Sequence, residues 1–421
     1  MDASGPDPTA AAVVARPALG WTAILAVLGP GLIVMLADTD AGSVITAAQS
    51  GAQWGYRMIL PQLLLIPPLY FIQEITVRLG AVTGQGHGTL IRRHFGLGWA
   101  LLSASTLFMS GIGALVAEFA GIAGVGELFH VSRWFTVPLA TAALIGVGLA
   151  GSYSKAERIG IAVGLFELAF IPAALMAHPD AGQLWHGVES MPFDQPDYVF
   201  LLAANVGAVI MPWMIFYQQG AVIDKGLGPQ HLRIARWDTA IGAVLTQVIM
   251  IAVVVALAAA ASRFKTTAPL DTVGEIARGL IPVIGWAGAK VLFGLGVLGA
   301  ALTAALVASL AGAWGISEVF GWQHSLSDPV PEARIFYWIY SGAHIAGAIL
   351  VLASVDLVRL TVDVEVMNAM LLPIVLGFLL ALEGKVLPRQ YRMHGVYKYV
   401  VWGFSAVVIL FGIYMGIVTL R

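Results

Sequence analysis

The chain has no cysteine, which excludes disulfides and thiolate metal ligands and leaves nothing to say about redox compartment. Charge is scarce too: Asp, Glu, Lys and Arg make up 11% of 421 residues, against about a quarter in ordinary soluble domains. With a net charge of -2 there is no basic surface to attract nucleic acid and no excess of charge to recruit a soluble partner. No phosphate-cradling glycine loop, nucleophile elbow or HExxH pattern occurs, so enzymatic chemistry has no support.

Apolar residues fill the space that charge leaves. They form 59% of the chain, the mean hydropathy is +0.85, and the runs are long without alternating. These features describe an all-α integral membrane protein whose main partner is the lipid bilayer. At about 20 apolar residues per crossing, the length allows about ten to twelve spans. Apolar runs between polar or Gly/Pro punctuation predict eleven, near 22–51, 55–80, 99–128, 135–152, 157–177, 198–222, 236–262, 284–320, 335–353, 364–383 and 396–419. Residues 1–20, rich in Ala and Pro, read as a short disordered tail. Small residues at four-residue spacing, such as Gly285, Ala289 and Gly296, predict close helix packing. Arg92, Arg93, Lys155, Arg158, Arg233, Arg236, Arg389 and Arg392 all fall on one side when the N-terminus is placed in the cytoplasm, the orientation that the positive-inside rule favours.

Two spans are interrupted. The first carries Asp38-Thr39-Asp40-Ala41-Gly42-Ser43 inside its apolar run, and the sixth carries Gly207-Ala208-Val209-Ile210-Met211-Pro212. Transporters built from two inverted five-helix repeats place broken helices at equivalent points of their halves, with the substrate between them. On that pattern residues 21–177 and 198–383 form the two repeats, and 396–421 adds an eleventh helix.

Asp40 leads the candidate residues, because a mid-span carboxylate costs about 2.5 to 3.5 kcal/mol unless it faces a cavity or a partner. It is also well placed to cap the half-helix that starts near Gly42. Met211 precedes Pro212, which opens the helix and frees carbonyls such as that of Ala208. A thioether beside a carboxylate favours transition metals over magnesium or calcium. Among the other embedded acids, Glu74, Glu118 and Asp238 are candidates for a proton path, and Glu365 opens a run that can face the two breaks. His87, His94 and His130 are expected at the solvated surface, and His344 in the core with a hydrogen-bond partner.

These segments together resemble the NRAMP divalent metal transporters. Asp40-Ala41-Gly42-Ser43, followed by Gly51-Ala52-Gln53-Trp54-Gly55-Tyr56, is similar to that family's Asp-Pro-Gly-Asn first helix and its continuation. Arg78 to Gly84 resembles the end of its second helix, Gly207 to Trp213 its sixth-helix Gly-Ala-Thr-Val-Met-Pro-His, and Asn368 to Pro373 its tenth helix. The resemblance implies a LeuT-like fold and proton-linked uptake of a divalent metal as cargo, with no tightly bound cofactor, in a bacterial inner membrane. Carried across, it makes Asp40, Met211, the Ala208 carbonyl and Ser43 metal ligands. Ser43 stands where the family has Asn, Ala41 replaces the motif proline, Trp213 replaces a His, and Leu115 falls where an Asp is usual, beside a retained Glu118. Glu365 stands in place of a Gln and adds a fifth candidate ligand, one that favours a harder cation. The expected substrate is therefore manganese or a similar ion. The rival readings are a magnesium transporter, an organic-solute symporter on the same scaffold, and a membrane receptor without flux.

Overall fold

The structure, a computed structural model, describes residues 28–264, 270, 272–354 and 356–419. The expected tail over 1–20 lies outside the described residues. All regular elements among them are helices, and nine are long and apolar enough to cross a membrane.

The first span is split into α1 (Pro30–Asp38) and α2 (Ala41–Trp54). Gly55, at φ 61°, ends α2, and a 3-10 turn over Gly55–Met58 leads into α3 (Ile59–Thr83). A short α4 (His87–Phe95) precedes α5 (Leu97–Leu128) and α6 (Arg133–Leu149). The fifth span comprises α7 (Tyr153–Gly164), a 3-10 segment over Leu165–Ala169, and α8 (Phe170–Met176). After α9 (Ala181–Glu189) comes the second split span, α10 (Pro196–Val209) and α11 (Pro212–Asp224). The chain continues through α12 (Leu232–Phe264), α13 (Val273–Gly288), α14 (Gly294–Phe320), α15 (Arg334–Ala353), α16 (Leu357–Val386) and α17 (Gly395–Thr419). Counting α1 with α2, α7 with α8 and α10 with α11 as single crossings, and α14 as the crossing that follows the kink at Gly285, gives the eleven expected spans. Ala41–Thr83 reads as one 43-residue apolar element and holds parts of two of them.

Three departures from expectation have clear causes. Gly285 is not a packing contact: it takes φ 75° with open space around its Cα and kinks the helix before a π segment over Ala289–Phe293. Gly296 does pack closely, since a Cβ there would stand 2.5 Å from the Phe170 ring. The stretch 178–197, which carries no Lys or Arg and reads as a loop, contains α9, started by Asp180, whose carboxylate accepts from Gln183 N–H at 2.8 Å. His87 is not at the solvated surface but wholly buried at the start of α4, 3.1 Å from Gln219 and edge-on to Phe216. His344 sits in the core as expected, its Nδ1 2.9 Å from the Tyr340 carbonyl.

Candidate metal site

The two breaks form by different chemistry. Between α1 and α2 there is no proline. Asp40 takes an extended conformation (φ -68°, ψ 173°), and its Oδ1 accepts from Ser43 N–H at 2.6 Å, capping α2. Between α10 and α11, Met211 is extended and Pro212 occupies the first helical position, where its missing N–H costs nothing. Ending α10 at Val209 frees the carbonyls of its last turn. One of them, Ala208 O, accepts from the Ser43 hydroxyl at 2.9 Å, so the breaks meet through this hydrogen bond.

Two further acids converge on the junction. Glu118 Oε2, from α5, accepts from Ala41 N–H at 3.0 Å, and its carboxyl lies within hydrogen-bonding reach of Asp40. Glu365 comes from α16. A Cβ placed on Gly42 would stand 2.2 Å from Glu365 Oε1 and 3.3 Å from Asp40 Oδ1, so both carboxylates abut the same glycine. A Cβ on Gly207 would meet the Glu365 backbone oxygen at 1.8 Å, which shows how closely α16 lies against α10. Glu365 is held by Asn368, whose Nδ2 donates to Oε2 at 3.0 Å and whose Oδ1 accepts from Ser110 at 2.7 Å.

Asp40, Ser43, Ala208, Met211, Glu118 and Glu365 all have zero exposure. Even so, Asp40 Oδ2, Glu365 Oε1 and Glu118 Oε1 have no hydrogen-bond partner. Unpaired carboxylate oxygens in a dry interior are expensive, and a cation is the group that satisfies several of them together. No set of three His, Cys, Asp or Glu side chains forms a metal site by itself among the described residues. The Ser43 hydroxyl and the Ala208 carbonyl lie at the same junction, and Met211 is buried at the second break.

The remaining expected residues lie elsewhere. Asp238 receives three backbone N–H groups at the start of α1, Gly29 at 3.0 Å and Gly31 at 2.7 Å on Oδ2, and Leu32 at 3.2 Å on Oδ1. Beside it Lys225 donates to Leu28 O at 2.6 Å and pairs with Glu157 at 2.9 Å. Glu74 pairs with Arg78 and Arg236, each at 2.8 Å, and accepts from Tyr397 at 3.1 Å. Leu115 packs where a Cβ on Gly347 would stand 2.9 Å away, and Trp213 is wholly buried with its Nε1 unpartnered. Sequence reasoning did not find Asn368 as the group that orients Glu365, although their i,i+3 spacing on one helix is a usable signal. Ser110 lies 258 residues from Asn368 and carries no such signal.

Comparison with known proteins agrees with this geometry. A family described as "Natural resistance-associated macrophage protein-like" (Nramp) matches residues 31–418. The chain is 26% identical over 385 residues to the "Divalent metal cation transporter MntH" of Burkholderia ambifaria, covering 87% of this chain and 82% of that protein. It superposes on the manganese transporter of Eremococcus coleocola with a TM-score of 0.74 at 16% identity, over 93% of this chain and 86% of that one. Mhp1, a nucleobase-cation-symport-1 family transporter, aligns with a TM-score of 0.58 at 14% identity, over 93% and 91% of the two chains. The fold is thus the LeuT-like one, with its first and sixth spans broken. This chain belongs to the Nramp family of integral membrane transporters.

Proposed function

We propose that the protein carries a divalent metal ion, manganese or one similar to it, across a bacterial inner membrane, with its N-terminus in the cytoplasm. Asp40, Ser43, Ala208, Met211 and Glu365 supply the ligands. The observation that carries this reading is that two buried carboxylates, Asp40 and Glu365, both abut Gly42 beside the first break and each keeps one unpartnered oxygen, Asp40 Oδ2 and Glu365 Oε1. The names borne by the Burkholderia and Eremococcus relatives support the same cargo. Because every ligand is sealed from solvent, exchange requires the bundle to open to one side at a time. Residues 21–177 and 198–383 are the halves that move against each other.

Proton linkage follows from the pairing of Asp40 with Glu118. Glu118 accepts from Ala41 N–H next to Asp40, so the two buried carboxyls can share one proton, and a metal ion bound at Asp40 competes with it. Trp213 and Leu115 supply no proton carrier at their positions. A harder ion, magnesium, is the second reading, favoured by the additional carboxylate of Glu365.

Manganese flux into liposomes, with and without a pH gradient, tests the assignment. Wild type should accumulate the ion and Asp40→Ala should not. Equal flux in both proteins would remove the site from the transport path.

A further inference from the structure

A second set of buried oxygens lies beside the first break and takes no part in the site above. Asp38 ends α1 at 1% exposure. The Thr246 hydroxyl, from α12, lies 3.3 Å from Asp38 Oδ2 and shares a 2.6 Å hydrogen bond with the Thr39 hydroxyl. Asp38 Oδ1 has no partner. An independent element points at the same spot. Glu167, in the 3-10 segment of the fifth span, is wholly buried beside Thr39, and neither of its oxygens has a hydrogen-bond partner. The acids Asp40 and Glu365 act on Asp38, the acids Asp40 and Asp38 act on Glu167, and among the described residues no ion pair involves Asp38 or Glu167.

We propose that Asp38, Thr39, Thr246 and Glu167 form a second cation position, for a hard divalent ion held through oxygen alone. Two carboxylates and two hydroxyls, without sulfur or nitrogen, are the donor set that such ions prefer. The C-terminal end of α1 adds the negative pole of its helix dipole to the same place. Charge balance points the same way. One divalent ion at Asp40 and Glu365 leaves Asp38 and Glu167 without an ion-pair partner among the described residues. The count of ions rests on the first site being a metal site, but the donor set does not.

Manganese serves as the probe, because the unbound ion is counted directly by electron paramagnetic resonance. The purified full-length protein in detergent is titrated to saturation. Wild type should take up two equivalents, and Glu167→Gln and Asp38→Asn one each. Asp40→Asn should also take up one, but from the other position. The equivalent that survives in Glu167→Gln shows that the variant is folded. Should that variant fail to fold, Thr246→Val should weaken the second equivalent at least tenfold. A single equivalent in wild type that is lost in Asp40→Asn overturns the second position and leaves the first standing. A single equivalent that is lost in Glu167→Gln and kept in Asp40→Asn supports the second position and overturns the first. Two equivalents retained in Glu167→Gln overturn the proposal.

Discussion

Gly42→Ala distinguishes a metal-binding Glu365 from one that merely fills space. The added Cβ would stand 2.2 Å from Glu365 Oε1, and relief requires about 1 Å of movement. The atom that must give is the end of a flexible side chain, held at its other oxygen by Asn368. The folding cost is therefore that of mild overpacking, about 1 to 3 kcal/mol. The binding cost is larger. Metal–oxygen bonds are about 2.0 to 2.6 Å long, so a carboxylate moved by about 1 Å has left the coordination shell. Moving a unit charge from about 2.3 to about 3.3 Å from a divalent ion forfeits about 4 kcal/mol at an effective permittivity of about 20. Rehydration of the freed carboxylate returns part of that, leaving about 2 to 4 kcal/mol. Kd for manganese should rise about 30- to 1,000-fold, measured by calorimetry on the purified protein. Glu365→Gln should match it, and the double variant should be no weaker than the weaker single by more than about 0.5 kcal/mol, since both changes remove one interaction. An unchanged Kd in Gly42→Ala, or losses that add in the double variant, would refute the reasoning. Gly207→Ala is the contrast. There the Cβ meets backbone oxygen at 1.8 Å, which cannot swing aside, and the variant should fail to fold.

Met211→Ala should reduce cadmium uptake far more than magnesium uptake, and equal losses would remove sulfur from the coordination shell. Asp238→Ala leaves three buried N–H groups of α1 without their acceptor and should destabilise the protein by about 2 to 4 kcal/mol in thermal unfolding. Manganese affinity of the folded fraction should stay near wild type; a loss of pH coupling at unchanged stability would instead make Asp238 a proton carrier. Burial lowers the His87 imidazole from its ordinary 6.5 to about 4. The folded protein then stays neutral there while the unfolded chain takes up a proton. Stability from this group is present above pH 6.5 and is lost as pH falls toward 4, by about 3 kcal/mol in all. His87→Gln should flatten that part of the stability curve relative to wild type, and parallel curves would contradict it.

The spans and both breaks were legible because apolar length and the residues Asp40 and Pro212 act locally. The reading failed where one signal has two meanings, as with Gly285. A glycine in an apolar run permits either close packing or a positive φ, and only neighbours decide which. His87 was misplaced for the same reason, since its burial depends on Gln219 and Phe216 more than a hundred residues away. The candidate ligands Asp40, Ser43, Ala208 and Glu365 were named from sequence. Their contact through Gly42 and the Ser43–Ala208 bond was not visible there, because tertiary packing sets it.

The anchoring of Pro30 to Asp38 gives this short helix a mechanical character. Nine residues make a rod about 13 Å long, pinned at one end by Asp238 and carrying Asp38 at the other, next to Asp40. A tilt of about 10° about the pinned end sweeps the far end through about 2 Å, the length of a metal–oxygen bond. A lever of this length converts a slight rotation into the difference between gripping an ion and letting it go.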